Sequence, residues 1–422
     1  MRTIQPPFVL PAKLPCARMP SLSFDRIEEA HHALAGVVKR TPLLPSKTFS
    51  AKTGSRVYLK LENLQDTGSF KRRGAYNKVR QLTPEEKARG VVCASAGNHA
   101  QGVAFSAATA GVRSTVFMPL FAPPAKIQAT RSYGAHVELV GTIYDEAYAA
   151  ARAHAEAHGK TFMHAFDDPQ VIAGQGTIGI EIFEKLPDVD VVLCPVGGGG
   201  LIGGVAMALK HLRPEITLVG VEAEGAQSMK RSLAEGRVVP RSTMTTIADG
   251  IAVKVPGAVT FPLIQQYVDQ VVTVGDDDTA YALYLLLQRA KLMAEPAGVV
   301  TLAALLSGAA SFPGKNVVAL ISGGNIDLGL LTQIIERGLL RDGLRAKIAV
   351  DVPDYPGTLN TLLGILARLQ TNIQSVKHDR YSASIPVGHV RITIAFRTLG
   401  QEQIARVEEA FQAQGFAYRV LG

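Results

Sequence analysis

V-D-V-V-L-C-P-V-G-G-G-G-L-I-G-G, residues 189–204, is the stretch whose reading decides the fold. Val189 to Val196 is β-branched and almost free of charge, the pattern of a strand buried on both faces. Gly197, Gly198, Gly199 and Gly200 follow at once. Leu201 to Leu212 then carries apolar residues at helical spacing and ends near Lys210, His211 and Arg213. Strand, glycine loop and helix N-terminus together make a phosphate cradle. Backbone N–H groups point into the loop and the helix dipole favours an anion there. Glycine lets the backbone approach closely and take φ > 0.

Other readings of the run fare worse. No G-K-[ST] follows, so a Walker A loop is excluded. A dinucleotide G-x-G-x-x-G can be laid on Gly198, Gly200 and Gly203, but no acidic residue ends a next strand at the usual spacing. The bland alternative is a tight strand-to-helix turn, with close helix packing at Gly203 and Gly204. Val191 to Leu209 has no charged residue, yet six glycines and a proline in that window argue against a membrane span.

Working outward, elements alternate from Ser23 onward. Helices are expected at Phe24 to Val38 (capped by Asp25), Lys71 to Leu82, Asn98 to Ala110, Tyr144 to His158, Gly174 to Lys185, Thr279 to Glu295 and Gly298 to Ser307. Strands are expected at Val57 to Leu61, Gly90 to Ala94, Thr115 to Met118, His136 to Val140, Thr217 to Glu222 and Asn316 to Ile321. Short buried strands between helices predict parallel α/β sheets, enough for two lobes with a cleft. This catalytic body spans 23–337, with a small lobe of about 61–153 inserted in the large one. G-L-L-R-D-G-L-R at 338–345 reads as a linker. Residues 346–422 follow as a compact βαββαβ unit. The Pro-rich stretch 1–22 lacks a long apolar core, so it reads as a disordered extension rather than a secretory signal, with Met19 as an alternative start.

Composition sets the class. The chain has 422 residues, enough for two or three domains at roughly 150 residues each. Hydrophobic residues are 47% and charged residues 19%, which suits large buried sheets rather than disorder. The net charge of +8 is scattered, with no basic tract, so nucleic acid is not an expected partner. Cys16, Cys93 and Cys194 share no metal spacing and make no disulfide framework, which fits a reducing cytoplasm.

Three further loops carry chemistry. K-L-E-N-L-Q-D-T-G-S-F-K-R-R-G-A, residues 60–75, places Lys71 at a helix start after a polar turn. A lysine there is ordinarily a solvated surface residue. Here Phe70 and Gly68 flank it and Arg72 and Arg73 follow. Burial and nearby positive charge would lower its pKa and make its amine a nucleophile toward carbonyls. A-S-A-G-N-H-A-Q-G at 94–102 is a second strand-to-helix turn, with Ser95 and the amides of 96–98 free to hold a carboxylate. S-G-G-N at 322–325 ends another strand. In isolation Asn98 reads as a helix cap and Ser322 as a turn hydroxyl. Ligands of parallel sheets sit at the carboxyl ends of strands, where all four loops fall.

These four motifs, in this order, resemble those of the fold-type II pyridoxal-phosphate enzymes, the tryptophan synthase β-like fold. Within them the stretch from about 23 to 335 is similar to the threonine ammonia-lyases (threonine dehydratases). The tail resembles an ACT domain, a ferredoxin-like amino-acid sensor. The resemblance implies that Lys71, beside Phe70, bonds covalently to pyridoxal 5′-phosphate and that Asn98 meets its phenolic oxygen. It also implies that Gly197 to Gly200 and the Leu201 N–H bind the phosphate and Ser322 faces the ring nitrogen. Ser95, Ala96, Gly97, Asn98 and His99 would hold the carboxylate of L-threonine, or of L-serine. The expected reaction is loss of the β-hydroxyl to give 2-oxobutanoate and ammonia, as the first step of isoleucine synthesis. Serine dehydratase or racemase, a β-replacing synthase, and a non-catalytic amino-acid sensor are the alternatives. Racemases of this family carry a serine where this chain has Ala96. Their cation-binding Glu is matched by Glu222, but their Asp position reads Ser228, so a divalent site lacks an anionic ligand. In the tail, Asp354, Gly357 and Thr358 are expected to bind an effector such as isoleucine or valine, with Pro356 in the first turn of the helix. A homodimer or homotetramer is the expected assembly.

Overall fold

The computed structural model describes residues 8–9 and 22–421. Met19 and most of the 1–22 extension lie outside the described residues. Its described residues are not disordered chain: Phe8–Val9 is an edge strand paired antiparallel with Gln270–Val274, and Leu22 is buried. The chain divides into two units, one up to Asp327 and one from Leu328.

The first unit holds two sheets. The larger runs in the order Phe8–Val9, Gln270–Val274, Thr217–Ala223, Val191–Pro195, Asn316–Ile321, Arg56–Leu61, Leu43–Pro45. Its five inner strands are mutually parallel and the two edge strands antiparallel. Every residue of Val191–Pro195 and Asn316–Ile321 is buried, because alternate side chains meet helices on opposite faces. Val192, Cys194, Val318 and Leu320 share a core with Ile178, Ile202, Val205 and Ile264. The helix Pro296–Ser307, which carries no charged residue, packs on the same strands. The smaller sheet is all parallel, in the order His136–Leu139, Ser114–Met118, Val91–Ala94, Thr161–Phe162. It therefore reaches past residue 153, where the small lobe was expected to end.

Several expectations need correction. The helix Phe24–Leu34 has Ser23 at its N-cap and Asp25 in its first turn, so Asp25 is not the cap. The helix expected over Thr279 to Glu295 stops early. Asp276–Leu285 is α-helical, Leu286–Ala290 is a π turn, and Lys291 takes φ 61°. Pro296 then opens the next helix, and the residue before a proline resists helical backbone. Helices Pro124–Ser132, Ser228–Glu235 and Thr260–Tyr267 and the strand Gln270–Val274 were not anticipated.

The second unit begins with the helix Leu328–Arg341, so the segment 338–345 is helix as far as Arg341 rather than a linker. A βαββαβ run follows: Arg345–Pro353, Thr358–Arg368, Asn372–Asp379, His389–Arg397, Gln401–Ala413 and Tyr418–Val420. Its antiparallel sheet has the ferredoxin-like order 372–379, 389–397, 345–353, 418–420. Val390, Ile392, Ile394 and Phe396 point to one face, under Leu362, Ile365, Val407 and Phe411. Gly357 is the N-cap of Thr358–Arg368, so Pro356 precedes that helix. No helix among the described residues is long and apolar enough to cross a membrane.

Candidate active site

Three neighbouring parallel strands end at Pro195, Ile321 and Leu61, and their following loops lie at one edge of the large sheet. The lysine loop is laced onto the serine loop. Ser69 and Gly323 form an antiparallel bridge, Phe70 N donates to Ser322 O at 3.1 Å, and Gly324 N donates to Gly68 O at 2.8 Å. Gly68 has φ +70° there, and a Cβ on it would lie 2.5 Å from Asn325 Oδ1. Lys71 is thereby set as the first residue of the helix Lys71–Arg80. That helix is clamped by close backbone contacts. A Cβ on Gly102 would lie 3.1 Å from Lys71 backbone, and one on Gly174 would lie 2.6 Å from Arg73 O.

Lys71 Nζ donates to Ala165 O at 2.8 Å and sits 5.1 Å from the centre of the Phe70 ring. Burial lowers its pKa to about 8, opposed by the negative charge of Glu295. The arginines beside it do not lower it, contrary to expectation. Arg72 pairs with Asp66 and lies over the Phe105 ring. Arg73 is sealed in a buried network with Glu62, Glu181 and Lys60. Glu62 Oε2 accepts from Arg73 Nε at 2.8 Å, and Glu181 Oε1 accepts from Arg73 Nη1 at 2.6 Å.

Gly199, at φ +95°, is the N-cap of Gly200–Leu212, whose first amides have no acceptor within the helix. Phe166 walls this loop: a Cβ on Gly198 would collide with its ring, and one on Gly200 would lie 2.6 Å from its carbonyl oxygen. Gly204 does the packing foreseen for the run, against Ile172 and Gly176, whereas Gly203 has room for a side chain. Thr260 Oγ1 donates to Gly198 O at 2.5 Å and fixes the loop from the other side.

Among the 96–98 amides, that of Gly97 is not free, since it donates to Ser95 Oγ at 3.1 Å. His99 is buried, its Nε2 donates to Met163 O at 2.8 Å, and burial pushes its pKa down to about 3. Its ring is therefore neutral and committed, leaving its backbone N–H as the group it offers. Asn98 is not a helix cap, because Gly97 holds that position. Its Nδ2 donates to Glu295 Oε1 at 2.6 Å, and its Oδ1 accepts from Asn325 Nδ2 at 2.8 Å. Ser322 is buried at the end of its strand and its N–H donates to Gly298 O at 3.2 Å.

Glu222 is buried, and its two oxygens accept from Met229 N at 2.9 Å and Lys230 N at 2.8 Å. It thus caps the helix Ser228–Glu235, and burial raises its pKa to about 8. Ser228 Oγ donates to Val253 O at 2.7 Å. In the second unit, the Asp354 carboxylate is held by Arg380 at 2.7 and 3.2 Å, and that arginine keeps its pKa low.

Sequence reasoning missed Glu295, Asn325 and the segment His164–Asp168. Burial pushes Glu295 up to about 7, with Asp249 adding to the rise. His164 Nδ1 accepts from Asp167 N at 2.8 Å, shaping the turn that offers Ala165 O to Lys71. Asp168 caps the helix Pro169–Lys185 with Pro169 at its first position, and D-P before an apolar helix was the readable signal.

Residues 34–323 match the family model described as pyridoxal-phosphate dependent enzyme. The chain belongs to that family. This pyridoxal-phosphate enzyme is 48% identical over 401 residues to L-threonine ammonia-lyase of Thermotoga maritima, covering 95% of this chain and 100% of the relative. The processed threonine deaminase isoform 2 of Solanum lycopersicum is 37% identical with a TM-score of 0.73, covering 78% of this chain and 97% of that one. Maize serine racemase is 33% identical with a TM-score of 0.71, covering 76% and 99% respectively.

The residues present fit the cofactor, pyridoxal 5′-phosphate. A lysine whose amine is half neutral near pH 8 lies in the same cluster of loops as the N-terminus of Gly200–Leu212, whose first amides suit an anion. Ser69 Oγ, two residues before Lys71, is buried without a hydrogen-bond partner, a group that a ligand satisfies.

Proposed function

We propose that this enzyme removes the β-hydroxyl and amine of L-threonine, releasing 2-oxobutanoate and ammonia, and acts on L-serine as a second substrate. The observation that carries this reading is the 48% identity to an L-threonine ammonia-lyase along 95% of the chain, with Lys71 set at a helix start beside the Ser322 loop.

When bound, pyridoxal phosphate supplies an electron sink for the carbanion at the substrate's Cα. The chain's own groups do the rest. Lys71 anchors the cofactor and then takes the Cα proton on Nζ, for which its depressed pKa suits it. The amides of Gly200 and Leu201, with Gly197 to Gly199 behind them, would hold the phosphate, and Phe70 would close the lysine side. Ser322 would face the ring nitrogen as a neutral hydroxyl and so would not fix a proton there. Asn98 would donate to the phenolic oxygen. Ser95 and the amides of Ala96, Asn98 and His99 hold the substrate carboxylate, while the Gly97 N–H keeps the Ser95 hydroxyl in place. Ala96 offers no proton donor to the second face of Cα, which favours elimination over racemisation.

The second unit is read as an ACT-like sensor in a homodimer or homotetramer, binding isoleucine or valine near Asp354, Gly357 and Thr358. An ammonium group there would compete with Arg380 for the Asp354 carboxylate. Incubation of the loaded enzyme with L-threonine should release 2-oxobutanoate and ammonia in equal amounts. Formation of D-allothreonine from L-threonine, or of D-serine from L-serine, without keto acid would overturn the reading.

A further inference from the structure

The side chains around Asn98 form a chain of amides whose orientation is forced from one end. Asn325 Nδ2 donates to two acceptors, Thr67 O and Asn98 Oδ1, both at 2.8 Å. Thr67 O is a backbone carbonyl and can only accept, so the NH₂ of Asn325 must face it. A flip would set two oxygens against each other. With that NH₂ fixed, the atom of Asn98 facing Asn325 must be its oxygen. The Asn98 NH₂ then turns to the opposite side, where Glu295 Oε1 accepts one hydrogen at 2.6 Å. Its second hydrogen is left over.

Glu295 is itself fixed by the backbone. Its N–H donates to Gly323 O at 3.0 Å and its C=O accepts from Gly298 N at 2.9 Å. A Cβ on Gly323 would collide with its carboxylate, so the serine loop must carry a glycine for Glu295 to stand there. The carboxylate is buried, and its partner among the described side chains is Asn98.

We infer that Asn325 and Glu295 are positioning residues that set which atom of Asn98 faces the cofactor, reserving one amide hydrogen for its phenolic oxygen. The inference rests on the placement of Asn98 proposed above. Asn325→Asp keeps the shape but turns the donor into an acceptor. The Asn98 amide then meets an acceptor on both sides and loses its single enforced orientation. Glu295→Gln keeps an acceptor for the Asn98 NH₂, whereas Glu295→Leu removes it.

The test reads cofactor binding rather than turnover. The cofactor dissociation constant and the pH titration of the bound cofactor's visible absorbance are measured for wild type and for each variant. Asn325→Asp should weaken binding by about tenfold or more, the expected cost of a mismatched buried polar contact, and should shift the absorbance titration. Glu295→Leu should do likewise, and Glu295→Gln should stay within about threefold of wild type because a neutral hydrogen bond remains. In an Asn98→Ala background, Asn325→Asp should have no further effect, because its route to the cofactor is gone. An Asn325→Asp effect of full size in that background would overturn the inference, since a merely structural role would persist there. Wild-type affinity and titration in Asn325→Asp alone would also overturn it. If Asn98→Ala itself changes neither quantity, the proposed placement of Asn98 fails and the inference falls with it.

Discussion

The two units solve opposite problems with their sheets. In the first, strands such as Asn316–Ile321 are buried along their whole length, and function gathers in the loops beyond their ends. In the second, His389–Arg397 alternates buried and half-buried residues, so one face is core and the other carries charge. The charges on that face find one another: Asp351 binds Arg391 at 2.6 Å and Arg419 at 3.0 Å. The first unit instead buries one charge network, Arg73 and Lys60 with Glu62 and Glu181, against the helix that carries Lys71. A fully buried sheet can place backbone amides and a lone amine with little freedom. A half-exposed sheet leaves its side chains free to exchange partners, which suits reversible recognition.

The sharpest contrast should come from the lysine. Lys71→Ala should lower threonine turnover by about 10³-fold or more, since anchor and base are lost together. Turnover measured with saturating cofactor is the check. No single substitution in the second unit should approach that loss.

Next come the ion pairs. Arg73→Met leaves Glu62 and Glu181 buried without their guanidinium, a loss of about 3–5 kcal/mol in unfolding free energy. Arg380→Met removes a solvent-exposed partner of Asp354 and should leave the denaturation midpoint unchanged. Equal effects from the two would erase the distinction between the units.

A smaller effect concerns pH. With a pKa near 8, Lys71 is mostly an unreactive ammonium below that value and mostly a free amine above it. Uptake of pyridoxal phosphate by the cofactor-free enzyme should therefore speed up about tenfold per pH unit below 8 and level off above it. A rate flat between pH 6 and pH 9 would show that the lysine is not the titrating group.

Much of this was legible in the residues. The unbroken apolar run into Gly197 to Gly200 gave away the buried strand and the tight turn into the next helix, because a strand covered on both faces tolerates such composition. The ferredoxin-like unit was legible from alternation, which has period two wherever one face is wet. Glu295 was not legible. A 3.6-residue rhythm carried through Thr279 to Glu295 makes it one more helical glutamate. The π turn at Leu286–Ala290 and the left-handed Lys291 break that rhythm and swing Glu295 to Asn98. Arg72 and Arg73 misled for a related reason. Sequence places them beside Lys71, but successive helical residues face different ways: Arg72 points to Asp66, and Arg73 to Glu62 and Glu181.

The central claim is that the chemistry is organised on Lys71, and peptide mapping tests it most directly. Borohydride fixes the bound cofactor on whichever lysine holds it, and mass spectrometry of the digest then locates the label. The label should fall on Lys71, in the peptide containing S-F-K, at one cofactor per chain. A label on Lys60, Lys126 or any other lysine, with Lys71 unmodified, would contradict the account.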